Sequence, residues 1–158
     1  MIKRKILFVA PYPPPYSGPE TSAKLFMESK IHDFYEVNLF DTNFRKSNAD
    51  KGKLGFSAIL IFFKFILGLI KRLVFFNPDI VYYYVTATKV GWLYKDIWLI
   101  LVSKVFGKKV VIHMRAGHFD YNFSKMSSFQ QSIIKKVCKY VDFGLAQSFS
   151  LMSQFEEI

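Results

Sequence analysis

Residues 5–20, KILFVAPYPPPYSGPE, decide how the rest of the chain can be arranged. Ile6 to Ala10 is a short apolar run that reads as a buried strand; a proline-rich loop follows, and a helix opens near Ser17-Gly18-Pro19. Proline suits the first helical turn, where its missing N–H is not needed, and glycine allows close approach of backbone to a ligand. The free N–H groups and the dipole of such a helix start attract anions, phosphates among them. In doubly wound α/β domains the turn after the first strand commonly holds a ligand. The same residues also suit an ordinary βα connection that binds nothing.

Outward from this stretch, strand and helix alternate. Thr21 to Ile31 has helical spacing, and Glu36 to Phe40, EVNLF, reads as a short second strand. Residues 41–55 are polar without a period and are expected to form a mobile loop. Residues 55–76 read as a long helix, broken by Asn77-Pro78-Asp79. Ile80 to Val85, IVYYYV, is a continuous apolar and aromatic run suited to a central parallel strand. Gly91 to Phe106 is a helix stopped by Gly107, and Val110 to His113 a fourth strand. Ser127 to Tyr140 is a helix in which Ser127 with Gln130, or Ser128 with Gln131, can form a capping box. Phe143 to Ala146 is a fifth strand, and Ser148 or Ser150 caps a helix only begun at Ile158, which leads us to expect a longer polypeptide or a partner.

This alternation predicts an α/β fold, a Rossmann-like doubly wound parallel sheet flanked by helices. With strand order 3-2-1-4-5 the first and fourth strands would be neighbours. Tyr16-Ser17-Gly18 and HMRAGHFDYNF (113–123) would then face each other across a crevice at the carboxyl ends of the strands.

At 158 residues the chain has the length of one domain. A composition of 51% hydrophobic and 18% aromatic residues argues against disorder and leaves apolar surface that a partner could cover. The net charge of +10 calls for something anionic: nucleic acid, an acidic membrane, or phosphorylated substrates. Its basic residues flank very apolar sequence, which favours membrane, and no zinc-finger or RNA-recognition spacing supports nucleic acid. The single Cys138 forms no intrachain disulfide and sits in a helical pattern as a packed thiol, and the apolar run before Pro11 is too short for a signal peptide. A cytoplasmic protein is expected.

Residues 55–76, GFSAILIFFKFILGLIKRLVFF, gather Ser57, Lys64, Gly68, Lys71 and Arg72 into a wedge about 100° wide, with almost everything else apolar. The mid-helix lysine argues against a membrane span. Three readings compete: a helix buried on several sides, a membrane-surface helix with Lys64, Lys71 and Arg72 facing the lipid, and a docking face for another protein or domain.

The end of the fourth strand is dense in polar residues. His113 can act as hydrogen-bond donor, base or orienting group, or simply cap the sheet edge. Arg115 can hold a carboxylate or phosphate through two parallel hydrogen bonds, or pair with Asp120 at the surface. His118 and Asp120 can position a sugar hydroxyl or merely face water. No third ligand at a recognised spacing supports a zinc site. GxGxxG is missing after the first strand and GxxxxGK[ST] is missing altogether, which argues against a nicotinamide or flavin enzyme and a P-loop ATPase.

Four segments together resemble the N-terminal domain of a GT-B-fold glycosyltransferase of family 4, retaining enzymes that use nucleotide sugars. KILFVAPYPPPYSGPE is similar to that family's strand and P-x-x-G-G-x-E, and NPDIVYYY to its Pro-Asp opening of the third strand. VVIHMRAGHF is similar to a strand ending in H-x-H-G-G-x-F, and GLAQSFSLMSQF to a strand leading into a serine-capped helix. Ser17 stands at the usual first loop glycine, and Arg115 and Ala116 replace the second histidine and a glycine. The resemblance covers nearly the entire chain. It implies one half of a GT-B fold, residues 1–158 forming the acceptor-side domain, with the donor-binding C-terminal domain absent. It implies His113 as the catalytic residue near the sugar, Ser17 and Gly18 at the donor phosphates, and Tyr16, Arg115, His118 and Asp120 at the acceptor. It further implies a nucleotide-sugar donor as substrate, no metal or other cofactor, a lipid-linked or cell-envelope polysaccharide acceptor, and peripheral attachment to the inner face of an anionic membrane. The fragment alone is expected to be inactive. Two other classes stand beside this: a non-catalytic membrane-associated scaffold that docks a separate donor-binding subunit, and a single-domain, flavodoxin-like binder of a small anion.

Overall fold

A computed structural model describes residues 3–43, 56–115 and 117–156. The elements are β1 (Arg4–Ala10), α1 (Gly18–Met27), α2 (Ile31–Phe34), β2 (Tyr35–Asp41), α3 (Phe56–Phe75), β3 (Ile80–Val85), α4 (Lys89–Gly91), a π-helical turn (Trp92–Asp96), α5 (Ile97–Val105), β4 (Lys109–Met114), α6 (Phe119–Ser124), α7 (Ser128–Cys138), β5 (Phe143–Ala146) and a 3₁₀ helix (Phe149–Phe155). The five strands form one sheet in the order β2-β1-β3-β4-β5, and β1 with β2 and β4 with β5 pair in parallel. The architecture is the expected Rossmann-like α/β sheet flanked by helices. Most of the expected mobile loop, residues 44–55, lies outside the described residues.

The order 3-2-1-4-5 does not hold: β3 stands between β1 and β4. The side chains of the strands give the reason. IVYYYV buries Val81, Tyr83, Tyr84 and Val85, whereas the alternating β2 buries only Phe40, so β3 takes the central place and β2 the edge.

The chain divides into two compact units, residues 1–82 and 83–158, with the boundary inside β3. In the first unit, Leu7, Phe8, Val9 and Ala10 of β1 are fully buried. Phe26 of α1 packs on Phe8 and Tyr82, with ring centroids 4.5 and 5.3 Å away. Asp79 accepts a hydrogen bond from the Lys5 N–H (2.7 Å) and donates its own N–H to the Lys5 carbonyl (2.9 Å), so the Pro-Asp opening of β3 fastens that strand to the start of β1.

Among the described side chains, helix α3 buries the stripe Phe65, Leu69 and Leu73, at i, i+4, i+8. Phe65 stacks on Phe40 of β2 at 5.6 Å. Ile59, Leu60, Phe63, Leu67, Val74 and Phe75 stay exposed. Of the three readings of this segment, burial on several sides is therefore not what the fold adopts.

In the second unit the core holds Tyr83, Trp92, Leu99, Ile100, Val110, Ile112, Met114 and Phe119. The expected helix 91–106 begins earlier, at Lys89, with the Thr88 hydroxyl accepting from the Gly91 N–H, and passes through the π turn before α5. Gly107, at φ 69°, ends it: its N–H bonds the Lys104 carbonyl (2.8 Å) and that of Lys108 the Ser103 carbonyl (3.0 Å), a Schellman pattern. Helix α7 starts with the Ser127–Gln130 capping box, while Gln131 donates instead to the carbonyls of Phe123 and Met126. The last element is 3₁₀, not α, and Ser148 precedes it without a side-chain capping bond.

Candidate functional site

In the first unit, Ser17 is the N-cap residue of α1, with Gly18 and Pro19 in the first turn. The Ser17 hydroxyl does not cap the helix; it donates to the carboxylate of Glu20, which is buried. A Cβ on Gly18 would meet nothing within 4 Å, so its backbone lies open. Tyr16 is exposed, with the Lys24 ammonium 5.8 Å from its ring centroid. The proline loop is held from β2: Asp41 accepts from the Tyr12 N–H (3.0 Å), and the Asn43 amide donates to the Tyr12 and Pro14 carbonyls.

Lys64 and Lys71 are exposed on α3, whereas Arg72 turns inward. Its guanidinium lies 4.2 Å over the Phe40 ring and donates to the Gly68 carbonyl (3.2 Å), and burial lowers its pKa. At about 100° per residue, the exposed Ile59, Phe63, Val74, Leu67 and Leu60 fill an arc of about 100°, with Lys71 and Lys64 along one edge.

The second unit concentrates polar groups at the carboxyl ends of its strands. His113 lies near the end of β4 and Arg115 directly after it, and both meet the same ring. His113 meets the ring of Tyr84, on β3, edge-on at 5.3 Å. The Arg115 guanidinium lies 5.0 Å over that same ring. The β4–β5 register aligns Met114 with Ala146, and one step further on it sets Arg115 opposite Gln147. With its amide oriented to suit its neighbours, Gln147 donates to the Arg115 carbonyl and accepts from Arg115 Nη2, both at 2.8 Å. Burial, and next the Arg115 charge, lowers the His113 pKa to about 4, so the ring is neutral at physiological pH.

Arg115 does not pair with Asp120. Both His118 and Asp120 are exposed, His118 at φ 66° before α6 and Asp120 in its first turn. Asn122 of α6 donates to the Ala87 carbonyl (3.0 Å), tying that helix to the loop after β3.

That loop is fixed by a residue the sequence did not single out. Asp96, fully buried in the π turn, accepts from Tyr83 Oη and from both the N–H (2.9 Å) and the hydroxyl (2.7 Å) of Thr86. Burial raises its pKa, against the pull of the Lys95 charge and these hydrogen bonds. Tyr84 and Gln147 were missed as well. Gln147 had one signal, its place directly after a strand, matching that of Arg115. Cys138 is a half-buried free thiol whose pKa burial, and next the Asp96 charge, pushes up to about 12, which makes it inert. Among the described residues no group of three or more His, Cys, Asp or Glu could hold a metal ion, and no helix is long and apolar enough to cross a membrane.

A Rossmann-like parallel sheet with polar side chains gathered at its carboxyl ends defines the class of the protein. Among solved structures the chain is similar to a protein of Listeria monocytogenes provisionally described as a UDP-N-acetylglucosamine 2-epimerase, with TM-score 0.59 and 14% identity, over 99% of this chain. At that identity the likeness is one of fold, of the GT-B-like Rossmann kind. The chain spans 42% of that protein's length. A conserved protein from Enterococcus faecalis V583 aligns over 99% of both chains at 12% identity and TM-score 0.47. No protein-family model and no curated protein matches the chain.

Proposed function

We propose that this chain is the acceptor-binding half of a glycosyltransferase that moves a sugar from a nucleotide-sugar donor to a lipid-linked or envelope glycan, and that these 158 residues alone turn over no donor. The observation that carries the reading is the Tyr84–His113–Arg115–Gln147 cluster at the ends of parallel strands, where α/β folds take their ligands. An aromatic ring, a neutral imidazole and a guanidinium suit a sugar with its hydroxyls. A histidine with so low a pKa is a weak base, so His113 serves by hydrogen-bonding a hydroxyl. The fold likeness to a protein described as a nucleotide-sugar epimerase supports a sugar-related role. Under this proposal Ser17 and Gly18 serve the donor phosphates, and Tyr16, His118 and Asp120 the acceptor. The protein works at the inner membrane face, where α3 rests its exposed apolar arc on lipid with Lys64 and Lys71 at anionic headgroups.

The test is to mix the purified chain with nucleotide sugars and glycan acceptors. We expect no release of nucleotide, and glycan-induced NMR shifts at Tyr84 and Gln147 that vanish in His113→Ala. Turnover by the chain alone, or glycan binding indifferent to His113, overturns the proposal. A second reading, a non-catalytic module docking a separate donor-binding subunit, is favoured by the exposed Phe143, Leu145 and Phe149 on β5 and the 3₁₀ helix. Sugar transfer on mixing with such a subunit supports the first reading; docking without transfer supports the second.

A further inference from the structure

Among the described residues, the groups that hold the Arg115 cation in place are neutral. Its guanidinium lies over the Tyr84 ring, Nη2 is taken by the Gln147 amide oxygen, and Nε is buried with no hydrogen-bond partner. No ion pair between described residues includes it. Gln147 grips the residue twice, at its carbonyl and its side chain, which fixes the fork in one orientation. Leaving a desolvated charge unpaired is costly, and at Arg115 the cost extends to a buried Nε that no acceptor meets. The neighbouring His113 can supply no counter-charge, since an imidazole is either neutral or cationic. Among the described residues the charge of this cluster is therefore uncompensated, and guanidinium forks match oxyanions through paired, charge-assisted hydrogen bonds.

We propose that Arg115 is a specificity-determining residue for a ligand that carries an oxyanion, a phosphate or carboxylate attached to the sugar, and that Gln147 is the residue that positions it. The inference rests on the acceptor-side reading above and narrows it: the sugar bound at Tyr84 and His113 is an acidic one. Tyr84 supplies a flat surface beneath the guanidinium, so the anion approaches along the plane of the fork.

Binding of four probes to the full chain tests this: inorganic phosphate, glucose 1-phosphate, glucuronate and glucose. We expect glucose 1-phosphate or glucuronate to bind at least roughly tenfold more tightly than glucose, the stronger of the two identifying the anion. Arg115→Ala should abolish that preference, bringing the affinity for the acidic sugars down to that for glucose. Gln147→Glu sets a carboxylate against Nη2 and should abolish the preference too, with the thermal unfolding midpoint kept or raised, an outcome that a merely structural role for Gln147 would not produce. Gln147→Asn, a shorter amide, should retain part of it. Glucose bound as tightly as the acidic sugars, with Arg115→Ala without effect, overturns the proposal while the acceptor-side reading stands. Binding of inorganic phosphate equal to that of glucose 1-phosphate, and equally lost in Arg115→Ala, marks a free-anion site and overturns the sugar assignment. Failure of all four probes to bind overturns both.

Discussion

Thr86 directs both its backbone N–H and its hydroxyl to one oxygen of Asp96, at 2.9 and 2.7 Å. The first residue after β3 is thereby tied to a π-helical turn ten positions later. The conformation of the loop that leaves the sheet beside Tyr84 thus depends on a buried carboxylate that the chemistry does not use.

Asp96→Ala leaves Tyr83 Oη and two Thr86 donors without an acceptor in a dry interior and should cost about 2–4 kcal/mol in urea unfolding. Gly91→Ala should act on the same link, since a Cβ there would collide with the Thr86 side chain, at about 1–3 kcal/mol. Thr86→Ala clears that space, so the two changes together should cost less than the sum of each alone. Strict additivity would show that Gly91 does not act through Thr86.

His113 should titrate with a midpoint near pH 4 by NMR. Its folded pKa lies below the unfolded value of about 6.5, so between these values the unfolded chain binds more protons and stability rises with pH. The contribution is complete above about pH 6.5 and lost as the pH falls toward 4. His113→Phe should flatten the pH dependence in that window. A ring titrating near its ordinary value would remove the case for a neutral hydroxyl binder.

Asp142, just before β5, accepts from Lys104 Nζ (2.6 Å) and from the Val110 N–H (2.7 Å). Burial works against its charge, but these bonds outweigh it and hold its pKa below the ordinary value. Its contribution is therefore present above about pH 4 and disappears as the pH falls through the lower folded pKa. Asp142→Asn should cost about 1–2 kcal/mol at pH 7. Chemical denaturation should show the gap to wild type closing in acid; a gap that persists at pH 2 would speak against the carboxylate as its cause.

On α3, Lys64→Glu with Lys71→Glu should abolish co-flotation with acidic liposomes while leaving the unfolding midpoint within a degree or so, because both side chains face solvent. Arg72→Glu should do the reverse, lowering stability through the lost contact with Phe40. Flotation unchanged by the double substitution would remove the membrane reading of this helix.

Strand and helix identities were legible because each is written in local pattern. IVYYYV and FGLA became strands at the residues predicted, and the Ser127–Gln130 capping box and the Gly107 stop formed as the spacing implied. The π turn was not legible, since Lys89 to Val105 carries an ordinary helical period and the departure is anchored by bonds from Tyr83 and Thr86. Arg72 fell in the polar wedge by angle alone, yet its long stem lets the charge reach inward over Phe40.

The amino-acid order by itself determined an α/β chain with one central apolar strand, because periodicity and turn chemistry act over a few neighbours. It also marked His113 and Arg115, since polar residues at the end of a buried strand stand out against their surroundings. Only the tertiary structure decided the strand order, the partnership of Arg115 with Gln147 and Tyr84, and the burial of Asp96 against Thr86. These depend on register and on packing between segments distant along the chain, and no local pattern encodes which side chains the sheet will bring side by side.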